Sequence, residues 1–174
     1  MYKIFICVII ICGLNFSNLF AKIVYLDVQF VIDNSEIGKF YKDKLKVKTE
    51  KDKLNLIVQE KKIKNADQLI KNQKNILKEN EINKKIEELN KLVLKYTNER
   101  KKYNDDVSEQ KKNYTLKILD VLNPLITSYV KKNNINLVLE KKNVLIGIKD
   151  LDISKNILLK LNEYTKQNNL INEN

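Results

Sequence analysis

Residues 82–125, INKKIEELNKLVLKYTNERKKYNDDVSEQKKNYTLKILDVLNPL, decide the fold. Ile82, Ile86, Leu89, Val93, Tyr96, Arg100, Tyr103, Val107, Gln110, Tyr114, Ile118, Val121 and Leu125 recur there at spacings of four and three. No Gly or Pro interrupts the stripe before Pro124. This is the period of a coiled-coil seam sustained over several heptads. It predicts a helix from about residue 81 to 132, with a kink at Pro124 because proline removes a backbone donor.

A helix this long needs a partner, and the residues before it supply one. Phe40, Val47 and Leu54 repeat at seven, and Ile63, Ala66, Ile70 and Leu77 resume a three/four spacing. Ser35 is a good N-cap for this first arm, which is expected to reach about Leu77. Between Val47 and Leu54 every residue is polar, so the seam lapses there and suits an arm that bends. The turn between the arms is expected near Lys78, Glu79 and Asn80, with residues 72–75 as the other choice. Residues 35–134 thus form an antiparallel helical hairpin.

Strand-like segments lie at the outer ends of the hairpin. Residues 22–26 are β-branched and aromatic, and Asp27 caps a brief helical turn over residues 29–32. Residues 136–140 and 143–148, separated by Lys141 and Lys142, read as a β-hairpin. Asp150 or Asp152 caps a final helix whose Ile153, Ile157, Leu158, Leu161 and Tyr164 share one face. The tail from Gln167 is polar and expected to fray. The fold class is therefore mainly α, with a small β part. Three short strands and one helix are a thin core for arms of this length, and oligomerisation through that end is the natural remedy.

Composition excludes much chemistry. The chain has no His, only three Gly, and two Cys that both fall in the first 21 residues, Cys7 and Cys12. The commonest general base and metal ligand are absent, and no Gly-rich phosphate cradle can form. No catalytic, cofactor-binding or metal-binding residues are assigned, and the chain is not expected to be an enzyme.

The N-terminus reads as a targeting segment. Lys3 precedes an apolar run over residues 4–14, and Leu19-Phe20-Ala21 offers a cleavage site after Ala21. Export of residues 22 onward is expected, without disulfides.

The whole chain carries 33 Lys and Arg against 22 Asp and Glu, a net of +11. Residues 42–112 hold 21 basic and 13 acidic side chains, a net of +8. The summed field suits acidic clients or an anionic membrane surface. Nucleic acid is not expected as a partner, because the basic residues carry no interleaved aromatic platform and export separates the chain from it.

The order of parts resembles the Skp/OmpH family of periplasmic chaperones. The resemblance rests on residues 22–29 (KIVYLDVQ), 35–39 (SEIGK) and 135–161, including Asp152-Ile153-Ser154 where the family usually has Asp-Ile-Thr. It implies a homotrimer whose strands form a small intersubunit β-barrel, from which three hairpins project around a cavity. It further implies an ATP-independent holdase in the periplasm that keeps unfolded outer-membrane β-barrel proteins from aggregating. Some members carry an arginine run on the return helix, linked to lipopolysaccharide binding. Here that position reads Ser108-Glu109-Gln110, so no residue is assigned to lipopolysaccharide.

Trimer contacts are expected at Ile23, Tyr25, Leu137, Leu139, Val144 and Ile146, apolar strand positions with too little of their own chain to cover them. Two other readings stand beside the holdase. One is a coiled-coil spacer tethered to the membrane by an uncleaved N-terminus; the other is a basic protein bound to anionic lipid.

Overall fold

The computed structural model describes residues 21–171; the expected signal segment lies outside the described residues. In chain order the elements are β1 (Ile23–Leu26), α1 (Val28–Asn34), α2 (Glu36–Gln73), α3 (Glu79–Lys132), β2 (Leu137–Glu140) and α4 (Ser154–Gln167). Two single-turn 3₁₀ segments, Lys141–Asn143 and Lys149–Leu151, lie between β2 and α4.

The helix starts are set by side chains. Asp27 Oδ1 accepts the Phe30 N–H at 2.8 Å and opens α1. Ser35 closes α1 and opens α2: its Oγ accepts the Gly38 N–H at 3.0 Å and donates to the Ile32 carbonyl at 2.9 Å. One buried serine thus ends one helix and caps the next, which lets the chain change direction without a loop.

α2 and α3 form the hairpin. The turn between them runs over residues 74–78, and the Ile76 and Leu77 N–H groups bond back to the Gln73 carbonyl. α3 continues through Pro124 to Lys132. It ends in a Schellman turn. Asn134 takes the left-handed conformation at φ 50°, and the N–H groups of Asn134 and Ile135 bond to the carbonyls of Lys131 and Val130. Buried Ile135 is the apolar residue that pins this turn to the core.

The core sits at the root of the hairpin. Val24, Leu26, Val31, Ile32, Ile37, Tyr41, Ile118, Leu122, Ile135, Ile153, Ile157 and Leu161 form one buried cluster. It joins β1, α1, the first two turns of α2, the C-terminal third of α3, and α4. Polar ties surround it: the Glu36 N–H donates to Asn162 Oδ1 at 2.9 Å, and the Asp27 N–H to Ser154 Oγ at 2.8 Å.

The sheet differs from the expected one. β1 pairs with β2 in parallel, Ile23 opposite Leu137 and Tyr25 opposite Leu139. Residues 143–148 are not a strand, so the expected hairpin with residues 136–140 does not form. The 3₁₀ turn at Lys141–Asn143 carries the chain off the sheet instead of folding it back along β2. The other side of β1 is occupied by Asp152, bridged in parallel to Tyr25, with the Ile153 N–H bonded to the Tyr25 carbonyl at 3.0 Å. Residues 143–148 have strand-forming side chains but pair with no strand of their own chain, and the outer edge of β2 stays open.

Gln167 closes α4, and a second Schellman turn follows. Asn169 is left-handed at φ 52°, the Leu170 N–H bonds to the Thr165 carbonyl, and Leu170 and Ile171 pack on the core.

Candidate functional site

Two surfaces stand out, one on the body and one on the hairpin. On the body, strand alternation turns Val24 and Leu26 into the core and leaves Ile23 and Tyr25 on the outer face. Their register partners Leu137 and Leu139 lie on the same face, and Ile23, Leu137 and Leu139 are all exposed. Tyr25 is buried by the segment that follows β2. Its hydroxyl donates to the Ile148 carbonyl at 3.0 Å, and the missing Cβ of Gly147 makes room for its ring: a Cβ there would lie 2.7 Å from Cε1. The segment so anchored presents Leu145 and Ile146, 97% and 90% exposed, together with exposed Ile148. Val144 is half-buried.

Of the six residues named from sequence, Ile23, Leu137, Leu139 and Ile146 therefore lie open, and Tyr25 and Val144 lie beneath the loop. Leu145 and Ile148 join the patch although sequence reasoning passed over them. The signal was present: residues 144–148 are apolar without alternation, which a half-buried strand would not be.

A salt bridge closes this loop onto the start of α4. Lys141 Nζ lies 2.8 Å from Asp152 Oδ2, while Asp152 Oδ1 accepts from the Ser154 backbone N–H at 2.9 Å and from its hydroxyl. Burial pushes the Asp152 carboxyl up, but hydrogen bonds from Lys141 and Ser154 and the lysine charge outweigh it and hold the group below its ordinary value. Lys141 is raised for the reciprocal reason, chiefly its hydrogen bond to Asp152.

On the hairpin, the α3 seam follows most of the sequence pattern. Ile82 and Ile118 are buried, and Leu89, Tyr96, Tyr103, Val107, Gln110 and Tyr114 are half-buried between them. Ile86, Val93 and Arg100 are exposed. The α2 seam departs from the expected one at Val47 and Leu54, while Ile63, Ala66 and Ile70 lie where their spacing placed them. Tyr41 stacks on Tyr114 with ring centroids 4.6 Å apart, and the half-buried positions that follow are Leu45, Thr49, Leu56, Gln59, Ile63, Ala66 and Ile70. Val47 and Leu54 face solvent. A helix turns about 100° per residue, so once the tyrosine stack turns Tyr41 and Leu45 toward α3, Val47 points away from it.

Where Lys48–Asp52 would continue the seam, the helices part around a cleft of ≈ 290 Å³ lined by Thr49, Asp52, Tyr103, Asp106 and Gln110. Further out they meet again, and Gln59 donates to Glu99. A second cavity of ≈ 430 Å³ lies at the root, lined by Ile32, Tyr41, Leu45, Tyr114 and Ile118 with Lys42 and Lys111 among its walls.

Among the described residues no group of three or more His, Cys, Asp and Glu could hold a metal ion, and no helix is long and apolar enough to cross a membrane. The described chain is thus a long basic helical hairpin rooted in a small body whose sheet face is open.

The chain belongs to the family of OmpH-like outer membrane proteins, whose profile matches residues 22–161. Its fold is similar to that of a putative OmpH-like outer membrane chaperone from Caulobacter crescentus. The TM-score is 0.61 at 12% identity, over 85% of this chain and 88% of that one. No curated protein matches the sequence.

Proposed function

We propose that this protein is an ATP-independent periplasmic holdase that binds unfolded outer-membrane β-barrel proteins and prevents their aggregation in transit. The observation that carries this reading is the open apolar sheet face at the root of a long basic arm. Ile23, Leu137, Leu139, Leu145, Ile146 and Ile148 are exposed together on a body too small to cover them. Isolated exposed apolar residues are ordinary, but a contiguous patch of this kind marks an interaction surface.

Three copies meeting through these patches form the body of a homotrimer. Residues 143–148 supply the strand that the single chain cannot pair, and the outer edge of β2 supplies an acceptor for it. The hairpins then project side by side as antiparallel coiled-coil tentacles around a common space. The family is that of OmpH-like outer membrane proteins, and the similar structure is that of a putative outer membrane chaperone. That context supports the client class and the compartment, reached by cleavage after Ala21.

The physics of holding suits the arms. Many weak contacts on flexible arms retain a client through avidity and release it stepwise, without a deep well and without nucleotide. The polar cleft around Asp52 and Tyr103 lets the arms bend to clients of different size.

The test dilutes a urea-unfolded outer-membrane β-barrel protein into buffer with increasing amounts of the purified protein, without nucleotide, while light scattering is followed. Suppression saturating near three chains per client is expected. Scattering unchanged at large excess would remove the holdase reading and bring forward a tethered coiled-coil spacer.

A further inference from the structure

The seven-residue repeat Phe40, Val47, Leu54 lies on α2 but not in its seam. Val47, Leu54, Val58 and Leu69 are 78%, 53%, 49% and 55% exposed. At about 100° per residue the four fall within an arc of about 60°, well over a quarter turn from the seam positions Leu45, Leu56 and Ile63. α2 therefore carries two apolar faces: one turned to α3 and one turned to water. α3 has no equivalent, since its most exposed aliphatic residues away from the seam, Leu94 and Leu116, stand 22 positions apart. An aliphatic row left in solvent along one arm stabilises neither the hairpin nor the body.

We infer that this outward stripe of α2 is the client-binding face, and that its occupant is an extended, net-acidic polypeptide with alternating apolar side chains. The inference rests on the holdase reading and assigns its contact surface.

Three observations select that occupant. First, charge: the exposed residues on and beside the stripe include Lys44, Lys51, Lys61 and Lys62, against Asp43 and Glu50. Second, length: from Val47 to Leu69 the stripe runs about 33 Å along the helix axis, a span that an extended segment of about ten residues covers. Third, width: the stripe is essentially one residue across, broadened only by exposed Ile57, and residues 47–76 contain no aromatic. A helix that lies in a membrane interface needs a broad apolar face with Trp, Phe or Leu, and here the opposite face is committed to α3. A narrow row with a basic rim fits one strand of polypeptide.

The test compares the wild-type protein with Val47→Gln/Leu54→Gln/Val58→Gln/Leu69→Gln and with Leu94→Gln/Leu116→Gln on α3. Gln is a good helix former, so exposed positions tolerate it, and circular dichroism of each variant checks that the hairpin is intact. The client is a urea-unfolded outer-membrane β-barrel protein of net negative charge. The concentration for half-suppression of scattering is expected to rise about tenfold for the α2 variant, from the apolar area lost, and less than about twofold for the α3 variant.

A photo-crosslinker at Val58 is expected to capture the client and one at Leu94 to miss it. Equal suppression by wild type and the α2 variant, or equal losses in both variants, would overturn the inference while leaving the holdase reading intact. A wild-type protein that suppresses nothing would remove both. Phosphatidylglycerol vesicles form the last arm: if the α2 variant loses vesicle binding but keeps client binding, the stripe serves a membrane and the inference falls.

Discussion

The Tyr25 hydroxyl donates to the carbonyl of Ile148, 3.0 Å away and 123 residues later in the chain. This bond pins the exposed apolar loop of Leu145, Ile146 and Ile148 to β1. Through it β1 sets where Leu145 and Ile146 stand, although neither touches the core. Order in this loop and the open sheet face belong to the same construction.

Tyr25→Phe keeps the ring packed against Gly147 and removes only the bond. The loop is then freer before association and must be ordered when chains meet. A net hydrogen bond is worth about 1 kcal/mol, so self-association is expected to weaken about fivefold. Sedimentation equilibrium of the two proteins measures this. An unchanged subunit affinity would show that the loop takes no part in the interface.

Gly38→Ala tests the junction of α1 and α2. Replacing Gly by Ala inside a helix ordinarily stabilises by about 1 kcal/mol. Here a Cβ would fall 1.8 Å from the Ile32 carbonyl oxygen, a backbone atom held by the Ser35 hydroxyl. The clash exceeds the propensity gain, and a net loss of at least about 2 kcal/mol is expected in urea unfolding. A variant more stable than wild type would contradict the close approach.

Ser35→Ala removes both bonds of the buried hydroxyl at that junction. The Gly38 N–H and the Ile32 carbonyl lose their partner where water has little access, so the loss is expected to be about 1–2 kcal/mol. Denaturant midpoints of the two proteins give the value. A change within a few tenths of a kcal/mol would mean that α2 starts without its cap.

Asp152 gives the body a pH dependence. Its folded pKa is lowered, so its contribution is fully present above the ordinary Asp value of about 3.9 and is lost as pH falls through the lowered one. Lys141 is raised, so its share persists below the ordinary Lys value and fades only in the alkaline range above it. The N-cap position of α4 is Ile153 and not Asp150 or Asp152, so Asp152→Ala is expected to cost about 1 kcal/mol at pH 7 through the lost hydrogen bonds from Ser154. It should also flatten the decline of the thermal midpoint between pH 5 and pH 2. An acid profile parallel to wild type would assign that decline to other carboxylates.

How much of this was legible in the residues depends on whether a signal had one partner or two. The α3 seam stood out because its far side is almost uniformly polar. The caps at Asp27 and Ser35 were legible because a short acceptor side chain before an apolar turn has few other uses. On α2 the heptad through Phe40, Val47 and Leu54 is real, but Leu45, Leu56 and Ile63 make a second apolar face. Periodicity does not say which face meets α3 when both are populated; the Tyr41–Tyr114 stack decides it.

Residues 143–148 carry strand composition, but the 3₁₀ turn at Lys141–Asn143 leads them away from the free edge of β2, and β1 is already bridged by β2 and Asp152. Parallel pairing of β1 with β2 was equally hidden, since a connection of 110 residues allows either sense. The second Schellman turn, at Asn169, was missed because Asn marks a left-handed position less plainly than Gly.

The most direct test is the mass of the complex formed with an unfolded outer-membrane β-barrel protein, measured by native mass spectrometry without nucleotide. Three copies of this chain with one client are expected, and three copies alone when no client is present. A complex of one chain per client, or a dimer that never acquires client at excess, would contradict a trimeric holdase.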